Sequence, residues 1–84
     1  MASAYQTRLI KQHKADGALV LKAIRLNENG FPDLWIFKDG ILKIREVKEG
    51  DDSLSPLQRH RIDQLIAQGF DAACIHETKG QIYP

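Results

Sequence analysis

The sequence predicts an α/β domain, a mixed sheet flanked by helices in the order helix, three strands, helix, strand. Three observations predict it. Two helix-like segments are each stopped by a glycine; apolar runs between them are broken by an Asp39-Gly40 turn; a further apolar run follows the second helix.

The first helix spans residues 3–16 and ends at Gly17, with Leu9 and Ile10 marking its buried side. At 100° per residue Gln6 and His13 fall on that same side, whereas Arg8, Lys11 and Lys14 point away. Residues 18–26, rich in Leu, Val and Ile, form the first strand, and Asn27-Glu28-Asn29-Gly30 is a turn or loop. Residues 33–38 and 41–48 are the arms of a hairpin, because Asp-Gly is the pair that tolerates positive φ at both central positions of a tight turn. Residues 49–53 form a polar loop. Ser55-Pro56 then opens a second helix, with serine as N-cap and proline at the first helical position, and Gly69 stops it. Residues 70–77 supply the last strand, and Lys79-Gly80 turns the chain toward a short apolar end at Ile82-Tyr83.

The 84 residues read as a single domain, 43% hydrophobic and 27% charged, which is the balance of a folded globular chain. A core this small is a reason to expect a homo-oligomer. No apolar run reaches membrane-spanning length, and Met1-Ala2-Ser3-Ala4 lacks the charged and apolar regions of a secretory signal, so a cytoplasmic location with no membrane partner is expected. Cys74 is the only cysteine and sits in an apolar stretch, where it reads as an inert core thiol. His13, His60 and His76 are scattered without ligand spacing, which gives no zinc site. The net charge is only +1, yet its distribution is uneven. Arg8, Lys11, Lys14, Lys22 and Arg25 crowd the first third, and most acids lie in residues 28–52; that fits a phosphate-binding surface beside a cation site, or an ordinary solvated surface.

A two-residue turn at Asp39-Gly40 pairs Lys38 with Ile41, and from there Phe37 with Leu42, Trp35 with Ile44 and Asp33 with Glu46. One face then carries Asp33, Trp35, Phe37, Leu42, Ile44, Glu46 and Lys48, apolar in the middle and charged at one end. Trp35 and Phe37 are core residues. Two opposed carboxylates repel unless something positive sits between them. Lys48 alone answers this as a surface ion cluster. The other answer is a hard, oxygen-seeking cation such as Mg²⁺. In that second reading Asp33 and Glu46 hold the metal and Lys48 supplies fixed positive charge for phosphodiester cleavage.

Gly30-Phe31-Pro32-Asp33, followed after twelve residues by Glu46-Val47-Lys48, resembles the signature of the PD-(D/E)XK nuclease superfamily. Ser55-Pro56-Leu57-Gln58, with a helix ending at Gly69, is similar to the virus-type replication-repair nuclease (VRR-NUC) family. The resemblance runs from the first helix to about His76. It implies a restriction-endonuclease-like core, with Asp33, Glu46 and the Val47 carbonyl as ligands of Mg²⁺ or Mn²⁺ and Lys48 as catalytic lysine. Gln58 matches a glutamine thought to support the site; Ser55-Pro56-Leu57-Gln58 also fits a capping box, in which Gln58 caps its helix. Gln6 stands where many relatives carry a glutamate, so its amide oxygen is expected to meet a metal-bound water without adding charge. His13 reads as a core histidine. The implied function is a structure-specific DNA endonuclease of a bacterial or phage-infected cell, cutting four-way (Holliday) junctions or other branched DNA as a homodimer. The alternatives are a catalytically weak or inactive DNA-binding module of the same fold, and a nuclease acting on RNA.

Overall fold

The computed structural model describes residues 3–84, in which α1 (Ala4–Ala15), β1 (Leu19–Lys22), β2 (Leu34–Lys38), β3 (Ile41–Lys48), α2 (Pro56–Ala67), β4 (Asp71–His76) and β5 (Gly80–Tyr83) follow in chain order. The expected α/β order holds, with one strand added at the end. The sheet order is β1-β2-β3-β4-β5. β1, β2 and β3 form an antiparallel meander, β4 runs parallel to β3 after the α2 crossover, and β5 pairs antiparallel with β4. Among the described residues no helix is long and apolar enough to cross a membrane.

Local chemistry accounts for the element ends. Ser3 caps α1 by accepting from the Gln6 N–H at 3.0 Å. Ser55 and Gln58 cap α2 reciprocally: the Ser55 hydroxyl accepts from the Gln58 N–H at 3.1 Å, and Gln58 Oε1 accepts from the Ser55 N–H at 3.0 Å. Asp39 and Gly40 both have positive φ, 52° and 76°, which matches the twist of the strands they join. The register Lys38 to Ile41, Phe37 to Leu42 and Trp35 to Ile44 is as expected.

Each helix covers a different part of the sheet, which divides the core in two. On one side Leu9 and Ile10 of α1 pack with Val20, Leu34, Ile36 and Val47. On the other, Ile62 of α2 packs with Ile44, Ala72 and Cys74, bordered by Trp35, Leu42, Leu54 and Leu65. Cys74 is a fully buried free thiol, and burial, then the nearby Glu46 charge, pushes it up to about 11 against a smaller opposing effect of Lys48. It is inert, as expected.

Two boundaries differ from the sequence expectation. β1 ends at Lys22, not at Leu26: the Ala23 N–H still reaches the Asp33 carbonyl at 2.8 Å, and beyond that bond the chain on both sides leaves the sheet. Residues 23–33 therefore form a loop, and Ile24 is 88% exposed on it. The C-terminal turn leads into β5, whose Tyr83 ring lies under the Arg59 guanidinium at 4.8 Å and whose hydroxyl donates to Asp63, tying the edge strand to α2. His13 is a third departure. It is only half-buried and lines a surface groove of about 260 Å³ with Asp16, Lys38, Asp39 and Lys43, at the turn end of the sheet, so it is not a core histidine.

Candidate active site

The loop that delivers Asp33 is held at successive residues. Gly30 has φ +87° and lies so close to α2 that a Cβ would meet Leu57 Cγ at 2.7 Å. The Phe31 ring lies under the Arg61 guanidinium at 4.6 Å. Pro32 is fully buried, and its carbonyl accepts from Trp35 Nε1 at 3.0 Å. This explains the order Gly-Phe-Pro before the acid. Gly30→Ala is expected to lower stability by about 1–3 kcal/mol, mainly from forcing a side chain into the left-handed region. Denaturant unfolding of the two proteins checks it.

Asp33 stands one residue before the first paired residue of β2, and the ladder ends at Leu34 with Arg45. The expected pairing of Asp33 with Glu46 is thus not a rung of the sheet. The two acids do share its end, and the Asp33 charge is one of the influences that raise the Glu46 carboxyl. Glu46 is pushed up to about 7, chiefly by burial, with Lys48 opposing and Asp33 adding to the rise. Lys48 Nζ lies 3.9 Å from Glu46 Oε2, and both side chains are largely withdrawn from solvent. This contact is longer than a hydrogen bond, so Lys48 neutralises Glu46 through charge alone and keeps its N–H donors for another group.

α1 reaches the same place through Gln6, which is 6% exposed. Its Nε2 donates to Asp33 Oδ1 at 3.2 Å. The amide nitrogen is the group turned to Asp33, because a carboxylate oxygen requires a donor and only the amide nitrogen provides one. The chain therefore has a neutral donor bound to Asp33 where a third carboxylate was possible. Val47 turns its side chain into the α1 core, which leaves its backbone as the part that can serve the site. Gln58 is half-buried with its oxygen engaged in the α2 cap, which satisfies the capping reading of Ser55-Pro56-Leu57-Gln58.

His76 is a residue that sequence reasoning passed over. It pairs with Lys48 in the parallel register of β3 and β4 and is 3% exposed. Its Nδ1 faces the Thr78 N–H at 3.1 Å and must accept, so the neutral ring carries its proton on Nε2, which donates to the Gly50 carbonyl at 2.9 Å. Beside it the Glu77 N–H donates to the Lys48 carbonyl at 3.0 Å, and the Glu77 carboxylate pairs with Arg8 at 2.8 Å. The strand end that carries Lys48 and the loop beyond it are thereby fastened to β4 and α1. No spacing signal marks His76, since the contact depends on how a crossover helix returns the chain.

Whether these residues suit a metal is a question of donors. Two carboxylates and a backbone carbonyl are hard oxygen ligands, and among the described residues no group of three or more His, Cys, Asp and Glu side chains forms a closed cage. That is the donor set of a cation that keeps several waters and binds through one or two carboxylates together with substrate phosphate. The acids placed at one sheet end, one of them raised toward neutrality chiefly by burial and further by the other, fit such an ion better than a closed structural site. The sequence profile of the VRR-NUC domain matches residues 2–78, nearly the whole chain. No curated protein matches the chain.

Proposed function

Because the chain belongs to the VRR-NUC domain family, a family of nuclease-type domains, we propose that it is a metal-dependent, structure-specific DNA endonuclease that cuts four-way junctions or other branched DNA as a homodimer. The observation that carries the proposal is the convergence of Asp33, Glu46 and Lys48 at one end of the sheet, with Lys48 Nζ 3.9 Å from Glu46. In this reading Asp33, Glu46 and the Val47 carbonyl hold Mg²⁺ or Mn²⁺. When bound, the ion polarises the scissile phosphate and lowers the pKa of the attacking water. Lys48 stabilises charge that develops on the phosphoryl oxygens, and its free N–H donors orient the attacking water. Gln6 holds the Asp33 carboxylate in place. Gln58 supports the site indirectly, by fixing the start of α2 that packs against the Asp33 loop.

Support for a second copy comes from the sheet face that α2 leaves open. Leu19 and Leu21 of β1, 59% and 45% exposed, stand beside Phe37 and Trp35 in two apolar cross-strand rows. Exposed rows of this kind are the surfaces that associating chains cover. A two-fold dimer presents two equivalent sites, as paired incisions of a four-way junction require. Lys11, Lys14, Lys22 and Arg25, which have no acidic partner within 4 Å among the described residues, are the cations that meet the phosphate backbone.

Labelled linear, flapped and four-way DNA and a matched RNA, incubated with Mg²⁺, Mn²⁺ or chelator, test this together with sedimentation at micromolar concentration. The expected result is metal-dependent cleavage favouring the junction, by a dimer. A monomer that cuts linear duplex as readily as a junction overturns the junction and dimer parts. A protein that binds DNA but cleaves none of these substrates with either metal is the inactive module instead.

A further inference from the structure

We propose that Arg61 is a positioning residue for the nuclease site, holding residues 29–31 against α2 and so fixing where Asp33 stands; the inference rests on Asp33 being a metal-binding acid. Arg61 is half-buried on the face of α2 turned toward the loop. Its Nε donates to the Asn29 carbonyl at 2.9 Å, its Nη1 donates to Gln64 Oε1 at 2.9 Å, and its guanidinium carbon lies 4.6 Å from the centre of the Phe31 ring. Among the described residues it has no acidic partner within 4 Å, so the fork is engaged by a loop carbonyl, a helix side chain and an aromatic face. Gly30, between the two loop contacts, lets the backbone approach Leu57 one turn earlier on the same helix.

From Asn29 to Asp33 the chain is thus tied at each step: by Arg61 at Asn29 and Phe31, by Trp35 Nε1 at the Pro32 carbonyl, and by the Ala23 N–H at the Asp33 carbonyl. The last two ties do not pass through α2 and keep the loop beside the sheet when Arg61 is lost. What Arg61 adds is the connection to α2. Without it the Pro32 end stays anchored and the fold persists, while the segment entering Asp33 gains freedom and the carboxylate is held less tightly in its ligating position. Groups one step removed from a metal ligand act in this way, and their loss typically weakens metal binding by about 10–100-fold. A planar fork that both stacks and donates is not reproduced by an ammonium group.

The test compares wild type with Arg61→Met and Arg61→Lys by three readings: Mn²⁺ affinity from calorimetry without DNA, the KM and kcat of junction cleavage, and hydrogen exchange at the Ala23 amide, which is bonded to the Asp33 carbonyl, in metal-free protein. Both variants are expected to weaken Mn²⁺ binding about tenfold, lower kcat with KM for DNA within about twofold, and speed exchange at the Ala23 amide. Phe31→Leu combined with Arg61→Met should add little to either alone. A raised KM in Arg61→Met that Arg61→Lys restores, with Mn²⁺ affinity unchanged, makes Arg61 a phosphate contact and overturns the proposal. The exchange reading judges the clamp even if wild type binds no Mn²⁺, a result that defeats the metal site itself; unchanged exchange in both variants defeats the clamp.

Discussion

Lys48→Ala is expected to slow DNA cleavage by about 10²–10³-fold while DNA affinity and the unfolding midpoint stay close to wild type. The Lys48 amine is a fixed charge at the sheet end, 3.9 Å from Glu46, and it makes no hydrogen bond among the described residues that the fold would lose. Its loss removes stabilisation from the transition state and leaves the ground-state contacts of the DNA in place. A second consequence follows from its effect on Glu46. Lys48 lowers the Glu46 carboxyl, which burial and Asp33 hold up to about 7, so removing the lysine lets Glu46 rise further. The pH at which Mn²⁺ binding reaches half its plateau should therefore move upward in Lys48→Ala. A wild-type cleavage rate in this variant contradicts the role given to Lys48.

Asp33→Asn acts in the opposite direction on the same carboxyl. The Asp33 charge raises Glu46, so the variant should bring the Glu46 titration below about 7 and yet bind Mn²⁺ weakly, having lost one of two acidic ligands. Cleavage is expected to fall by at least about 10²-fold. Thermal stabilisation by Mn²⁺, present in wild type through linkage, should vanish. Metal-free Asp33→Asn is expected to be as stable as wild type or more so, because one repelling charge is gone and Gln6 keeps an oxygen to donate to. Thermal unfolding with and without Mn²⁺ separates these effects.

The pH dependence of the wild type follows from Glu46. Its carboxyl is raised from 4.5 to about 7, so the folded protein keeps a proton that the unfolded chain has released across that interval. Metal-free stability should therefore decline as pH rises from about 4.5 to about 7 and level off above. Metal binding displaces the same proton. Mn²⁺ affinity should rise about tenfold per pH unit below the Glu46 titration and flatten above it, which calorimetry across pH 5.5–8.5 reads directly.

Features set by neighbouring residues were legible in the chain. The Asp39-Gly40 turn, the reciprocal cap of Ser55 and Gln58, and the glycine stops of both helices each depend on a few adjacent side chains. The hairpin register followed from that turn, and it places Glu46 and Lys48 past Arg45 at the end of β3 away from the turn. Legibility stopped where partners come from afar. β1 ends at Lys22 because the chain it pairs with leaves the sheet before Leu34, and nothing within residues 18–26 signals it. The direction of the Gln6 amide depends on Asp33, 27 residues away, and the tether from His76 to Gly50 depends on the parallel return through α2. β5 has only Ile82 and Tyr83 as apolar residues, too few for a periodic signal, and it forms because β4 offers an open edge.

The central claim is that Asp33, Glu46 and Lys48 form one metal-dependent cleavage site, and a single-turnover assay tests it most directly. A preformed complex of protein and labelled four-way junction is mixed with Mn²⁺ at pH 8, and wild type is compared with Glu46→Gln. Prompt cleavage by wild type that chelator stops and Glu46→Gln lacks, with the junction still bound by both proteins, is the result this account predicts. Cleavage that persists in chelator, or in Glu46→Gln at the wild-type rate, contradicts it.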